Sequence, residues 1–243
     1  MEAPGIRPYG SPLKLLLLVA LSACPALSGG ALAADSSEFW PEFSAFIGLR
    51  PDMRVYLDAS YATTGKESDQ ASLDASAALD ISLKPILRPE LQSEDWQRNR
   101  YLWARIGYTR VLNLAGGGER SVTENRGVVA VYGRLPLPAG VWLESRTRAD
   151  LRWIGDDYST RYRFRLEANR EFTIKDRPVV AYFNVEAFYD TRYAGWSRIL
   201  YQAGAEVTVN ERFRYELYLA QAEDRLPQMK SFTALGVVAK FYF

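Results

Sequence analysis

Along most of the chain, apolar and polar residues alternate with a period of two, in blocks of about ten residues separated by turn formers. This is the pattern of β-strands with two unlike faces. Ala71, Leu73, Ala75, Ala77, Leu79, Ile81 and Leu83 fall on one face, and Ser72, Asp74, Ser76, Asp80 and Ser82 on the other. Val141, Leu143, Thr147, Ala149, Leu151 and Trp153 oppose Glu144, Arg146, Arg148, Asp150 and Arg152. Tyr162, Phe164, Leu166 and Ala168 oppose Arg161, Arg163, Arg165, Glu167 and Asn169. Val179, Ala181, Phe183, Val185, Ala187 and Tyr189 oppose Asn184, Glu186 and Asp190. Further strands are expected over 199–207, 213–219 and 233–243, with less regular alternation near 43–50, 53–62, 101–110 and 122–135.

The connectors sort into two sets. Those at 50–52, 136–140, 175–178 and 210–212 are short, whereas those at 63–69, 113–121, 154–159, 190–197 and 223–230 are mostly longer and polar. Short turns at one rim and longer loops at the other are expected of an outer-membrane barrel, with the short turns in the periplasm. The fold class is therefore all-β, an antiparallel transmembrane β-barrel of ten to twelve strands. Eleven strands can be counted, but an antiparallel barrel with both ends in the periplasm needs an even number, which favours twelve. The stretch 84–100, with two prolines, is the place where a strand would be missed.

Alternation alone leaves open which face is outside, because a soluble lipocalin-like periplasmic carrier has the same period with the faces exchanged. Three features favour the membrane. Leu235, Val237, Ala239, Phe241 and Phe243 share one face, and an aromatic residue closing an amphipathic last strand resembles the signal by which the barrel-assembly machinery recognises its clients. Trp153, Tyr158, Tyr193 and Trp196 near the loop ends, and Trp40, Phe172, Phe213 and Phe241 near the turn ends, would form two interfacial girdles. Third, 24 of the 30 basic residues are arginine, the cation suited to close pairing with carboxylates. A GC-rich genome raises arginine too, but does not place it on one face.

Before the barrel, Arg7 and Lys14 precede an apolar run at 15–23, and small residues follow to Ala33, the order of a secretory signal peptide. The expected domains are a cleaved signal over 1–33 and an outer-membrane β-barrel over 34–243. Leu21-Ser22-Ala23-Cys24 also resembles a lipobox, so lipidation of Cys24 stays open.

Composition removes most chemistry. The 243 residues include one cysteine and no histidine, so no Ser-His or Cys-His nucleophile, HExxH site or CxxC pair is possible. A net charge of +1 offers no footprint for nucleic acid. Gly116-Gly117-Gly118 lacks the setting and the lysine of a phosphate loop, and no metal or cofactor is expected.

Sorting charge by face is more informative than its sum. The polar face takes Arg54, Arg105, Arg126, Arg134, Arg146, Arg148, Arg152, Arg161, Arg163, Arg165, Arg198 and Arg214. Against them stand Asp58, Asp74, Asp80, Glu124, Glu144, Asp150, Glu167, Glu171, Glu186, Asp190, Glu206 and Glu216. Such balance suggests cross-strand ion-pair ladders and a narrow or occluded lumen instead of a simple ion-selective pore. Arg146, Arg148, Arg163, Arg165, Glu167, Glu186 and Asp190 form the candidate lumen binding set, for an anionic head group in the barrel mouth; a structural plug accounts for the same residues.

The segments 71–111 (from ASLDASAALDIS to YLWARIGYTRV), 146–153 (RTRADLRW), 161–167 (RYRFRLE) and 184–207 (NVEAFYDTRYAGWSRILYQAGAEV) resemble the bacterial proteins grouped as domain-of-unknown-function family 2490. That resemblance implies an outer-membrane β-barrel and carries no activity or functional residue. The expected protein is a monomeric outer-membrane barrel of a Gram-negative bacterium, contacting membrane lipid and, through Phe241 and Phe243, the assembly machinery. It is structural or concerned with small solutes, and leans away from being an enzyme. A lipid-modifying enzyme without histidine and the soluble carrier are the alternatives.

Overall fold

The computed structural model describes residues 36–64, 71–83, 100–114, 123–225 and 231–243. The signal expected at 1–33, Cys24, the triglycine and nearly all of 84–100 lie outside the described residues. Eleven strands are described: β1 (Ser36–Arg50), β2 (Met53–Thr64), β3 (Ala71–Ser82), β4 (Leu102–Leu114), β5 (Thr123–Leu137), β6 (Val141–Ile154), β7 (Asp157–Ile174), β8 (Arg177–Asp190), β9 (Gly195–Thr208), β10 (Phe213–Asp224) and β11 (Phe232–Tyr242). Each pairs antiparallel with its sequence neighbours, and β1 closes on β11 to complete the barrel.

The preference for twelve strands is corrected to eleven among the described residues. The parity rule presupposes an antiparallel closing pair, whereas β1 and β11 run parallel, with Ser36 beside Phe232 and Phe46 beside Tyr242. An odd number of consecutively antiparallel strands can close only in this way. Consequently, the start of β1 lies at the rim of the longer loops and Phe243 at the opposite rim, where its amide donates to Phe46 O at 2.8 Å. The placement of Trp40 at the turn rim is also corrected, because β1 ends at the short 50–52 turn and Trp40 is near its start. It lies near the loop rim, faces inward and packs edge-on against Phe232 and Tyr218.

The barrel's dimensions follow from its register. From Glu42, the ladder through Ser60, Asp74, Val111 and Glu124 reaches Ile154 on β6. In the other direction, through Val238, Glu216, Glu206, Val180 and Glu171, it reaches Gly140, fourteen residues away. At ~3.3 Å per residue and ~4.8 Å between strands, that stagger around eleven strands tilts them by about 40° and sets a backbone radius of about 11 Å. Halfway between the two arrival points is the position on β6 level with Glu42, next to Arg146 and Arg148.

The faces divide as the alternation requires. Large apolar side chains point outward: Ile106, Leu135, Leu166 and Leu217 are each more than half exposed, and Leu57, Leu73, Val129, Phe164 and Leu235 continue the belt. Trp153, Tyr158, Tyr193 and Trp196 are exposed at the loop rim. The inner face carries the charged residues and a small apolar cluster of Phe188, Leu200, Tyr218, Phe232 and Val238. Two inward glycines serve that cluster by close approach: a Cβ on Gly236 would lie 2.0 Å from Tyr218 Cζ, and one on Gly204 2.9 Å from Tyr182 Cζ. At the short β7–β8 turn, Lys175 and Asp176 both have positive φ, the conformation whose twist suits a two-residue hairpin.

Candidate functional site

Alternation on β4 to β10 turns the arginines inward, and the register decides whom they meet. Directly across β6 and β7, like charges face one another: Arg146 opposite Arg165, Arg148 opposite Arg163, and Glu144 opposite Glu167. Left alone, such pairs are destabilising. Compensation comes from β8 and from carboxylates two residues along the same strand, so the ion pairs do not follow the simple β6–β7 ladder that the sequence suggests.

Glu186 is the centre of the first group. It is 1% exposed and accepts from Arg146 Nη2 at 2.5 Å, Arg163 Nε at 2.7 Å and Arg163 Nη2 at 3.1 Å. Arg148 Nε donates to Asp150 at 2.5 Å, leaving its terminal nitrogens without a hydrogen bond among the described residues. Arg165 makes none there either; its nearest carboxylate, Glu167, is 3.8 Å away. Glu167 instead accepts from Asn169 at 3.1 Å and Asn184 at 3.2 Å. Asp190 belongs to a separate arc near the loop rim, accepting from Arg152 Nη1 at 2.7 Å and Arg161 Nη2 at 3.0 Å. Arg152 continues that arc to Glu124, which also takes Arg126 Nε at 2.6 Å. Six of the seven candidate residues thus stand together at mid-height, below the mouth, and Asp190 stands apart.

Further clusters hold other parts of the wall. Asp80 is fully buried between Arg54 at 3.0 Å and Arg105 at 2.6 Å. Lys240 bridges Glu206 at 2.7 Å and Glu216 at 2.5 Å. Arg198 pairs with Asp224 at 2.7 Å. Burying charge in this way is tolerable only because each carboxylate is hydrogen-bonded as well as paired.

Glu42 and Asp58 break that rule. They are neighbours on β1 and β2, share the Ser44 hydroxyl at 3.1 and 3.3 Å, and have no cation within ion-pair distance among the described residues. Asp58 was expected on the inner face, but Glu42, Glu38, Asp224 and Lys240 were missed. The missed signal was available: extending β1 back to Ser36 puts Glu38, Trp40, Glu42 and Ser44 on one face, and counting back from Phe241 places Lys240 opposite it.

The ion pairs lie along the wall and do not fill the barrel. They enclose a cavity of about 1080 Å³, lined from Ser60 and Ala62 at the loop side to Gly140 and Pro178 at the turn side. A wall at this radius is too wide for side chains to meet across it, which is why the expected occlusion is not seen among the described residues. Its charge is uneven: β4 to β8 carry the guanidinium surplus, while β9 to β3 carry Glu42, Asp58, Asp74, Glu206 and Glu216 against Arg54, Arg198, Arg214 and Lys240. Among the described residues no group of three or more cysteine, aspartate or glutamate side chains is arranged to hold a metal ion.

A family described as "Protein of unknown function (DUF2490)" matches residues 38–228. No curated protein matches the sequence. Among solved structures, the β domain of the Bordetella autotransporter Brka is similar, at 10% identity and a TM-score of 0.43, over 75% of this chain and 78% of that one.

Proposed function

The chain belongs to the DUF2490 family of proteins of unknown function, and we propose that it is an integral β-barrel of a Gram-negative outer membrane whose polar lumen takes up small solutes. The observation that carries this reading is the assignment of faces: an apolar belt outside and hydrogen-bonded ion pairs inside. A soluble carrier needs the reverse, since exposed Ile106, Leu166 and Leu217 would face water and the arginines would occupy the ligand cavity. In lipid, a closed barrel also satisfies every strand edge, which suits a monomer. The leader at 1–33 would bring the chain to the periplasm, and Phe241 and Phe243, at the turn rim, would be read by the assembly machinery.

The test is reconstitution. Refolded into phospholipid vesicles, the purified chain should become protease-resistant, migrate faster on gels before heating than after, and release a trapped small solute. A protein that folds only in the aqueous phase, or vesicles as tight as protein-free ones, would overturn the reading.

A further inference from the structure

Two of the lumen's carboxylates without an ion pair stand together. Glu42 and Asp58, which lack an ion pair among the described residues, lie on β1 and β2, diametrically opposite β6 and β7 in the closed order. The register sets their height. The two ladders from Glu42 reach β7 at Asp157 and Glu171, so its level there is near Phe164, between the inward-facing Arg163 and Arg165. On β6 the same level falls beside Arg148. Two of those arginines keep most of their donors free: Arg165 has no hydrogen bond among the described residues, and Arg148 uses only its Nε. Asn184, next to this group on β8, is 1% exposed, lines the cavity and leaves its Oδ1 without a partner.

One cavity therefore presents unpaired carboxylates on one side and guanidinium groups with free donors on the other. Neither a simple anion nor a simple cation satisfies both walls. Opposed backbones at a radius of about 11 Å are ~22 Å apart; an arginine reaching in by ~6 Å and a carboxylate by ~4 Å leave a gap of about 12 Å. A hydrogen bond of ~2.8 Å at each end takes up about 6 Å of that gap, and the remaining ~6–7 Å is the span of an extended dipeptide at ~3.3–3.6 Å per residue.

We propose that the lumen binds an extended zwitterion of about dipeptide length, its anionic end on Arg148, Arg163 and Arg165 and its cationic end on Glu42 and Asp58. This deepens the small-solute reading and rests on it for its biological setting, but its test does not depend on where the cell places the protein.

The test is calorimetric titration of the detergent-refolded full chain with dialanine, N-acetyl-dialanine and dialanine amide, which differ in terminal charge. Dialanine should bind at least about tenfold more tightly than either blocked peptide. Glu42→Gln/Asp58→Asn should abolish the preference over N-acetyl-dialanine. Arg148→Gln/Arg165→Gln should abolish the preference over the amide, and Arg148→Lys/Arg165→Lys should retain much of it; a heat-shifted gel band confirms that each variant is folded. Equal binding of the three peptides, binding of none, tightest binding of a blocked peptide, or preferences unchanged in the variants each overturns the proposal. Failure here with successful insertion into vesicles removes the zwitterion site alone, whereas failure to insert removes the parent reading.

Discussion

Glu186→Gln isolates the energetic role of the mid-barrel ion pairs. The substitution keeps the side chain's size and one acceptor but removes the charge that holds Arg146 and Arg163. Removing one partner of a buried pair costs ~3–5 kcal/mol, because the other charge is left uncompensated. Here Arg146 and Arg163 keep 10% and 20% of their side-chain surface open to the lumen. Arg163 also has Asp150 at 3.9 Å as a second partner. Both facts place the loss at the lower end, about 3 kcal/mol. In urea titrations of the vesicle-inserted protein followed by tryptophan fluorescence, an m-value of ~2–3 kcal/mol/M converts this to a midpoint lowered by about 1–1.5 M. Arg163→Gln/Glu186→Gln, which also removes one stranded cation, should recover about half of the loss. Glu171→Gln, at an exposed position with no ion pair among the described residues, should change stability by less than ~0.5 kcal/mol. A midpoint for Glu186→Gln within about 0.3 M of the parent would refute the claim that Glu186 neutralises a buried arginine cluster.

Other consequences are independent of that network. In a Cys24→Ser background in whole cells, a membrane-impermeant maleimide should label cysteines at Ser37 and Asp157 but not at Glu211, because β1 starts at the loop rim; protection of Ser37→Cys together with Glu211→Cys would contradict the parallel β1–β11 closure. Leu217→Arg, in mid-belt, should destabilise the vesicle-inserted barrel by ~2–4 kcal/mol, and Leu49→Arg, at the turn rim, by about 0–1 kcal/mol; equal small effects in urea titration would mean that neither side chain meets lipid. Deleting Phe243 should lower the amount reaching the outer membrane while the purified chain still refolds into vesicles, and an unchanged cellular yield would remove its role as an assembly signal.

The fold was legible where side-chain period and face chemistry agreed. Arg161, Arg163 and Arg165 against Tyr162, Phe164 and Leu166 leave no ambiguity about β7, because shifting the register by one residue would put arginine into the belt. The strand count was legible too, but a parity rule overrode it, since nothing in the local pattern of Ser36–Arg50 says whether its far edge meets a parallel or an antiparallel partner. That choice is set by closure of the whole sheet. The candidate site was legible as a list of inward charges but not as a set of partners. Glu186 joins arginines from β6 and β7 through diagonal offsets that depend on strand tilt, and Glu42 gains its meaning only from what stands across a barrel of known stagger.

The central claim, that the belt faces lipid and the charges face a lumen, is tested most directly by separating the membranes of a Gram-negative host that expresses the chain with its leader. The protein should sediment with the outer membrane and show a heat-dependent gel shift in that fraction. Recovery in the soluble periplasmic fraction, with one gel mobility before and after heating, would contradict it.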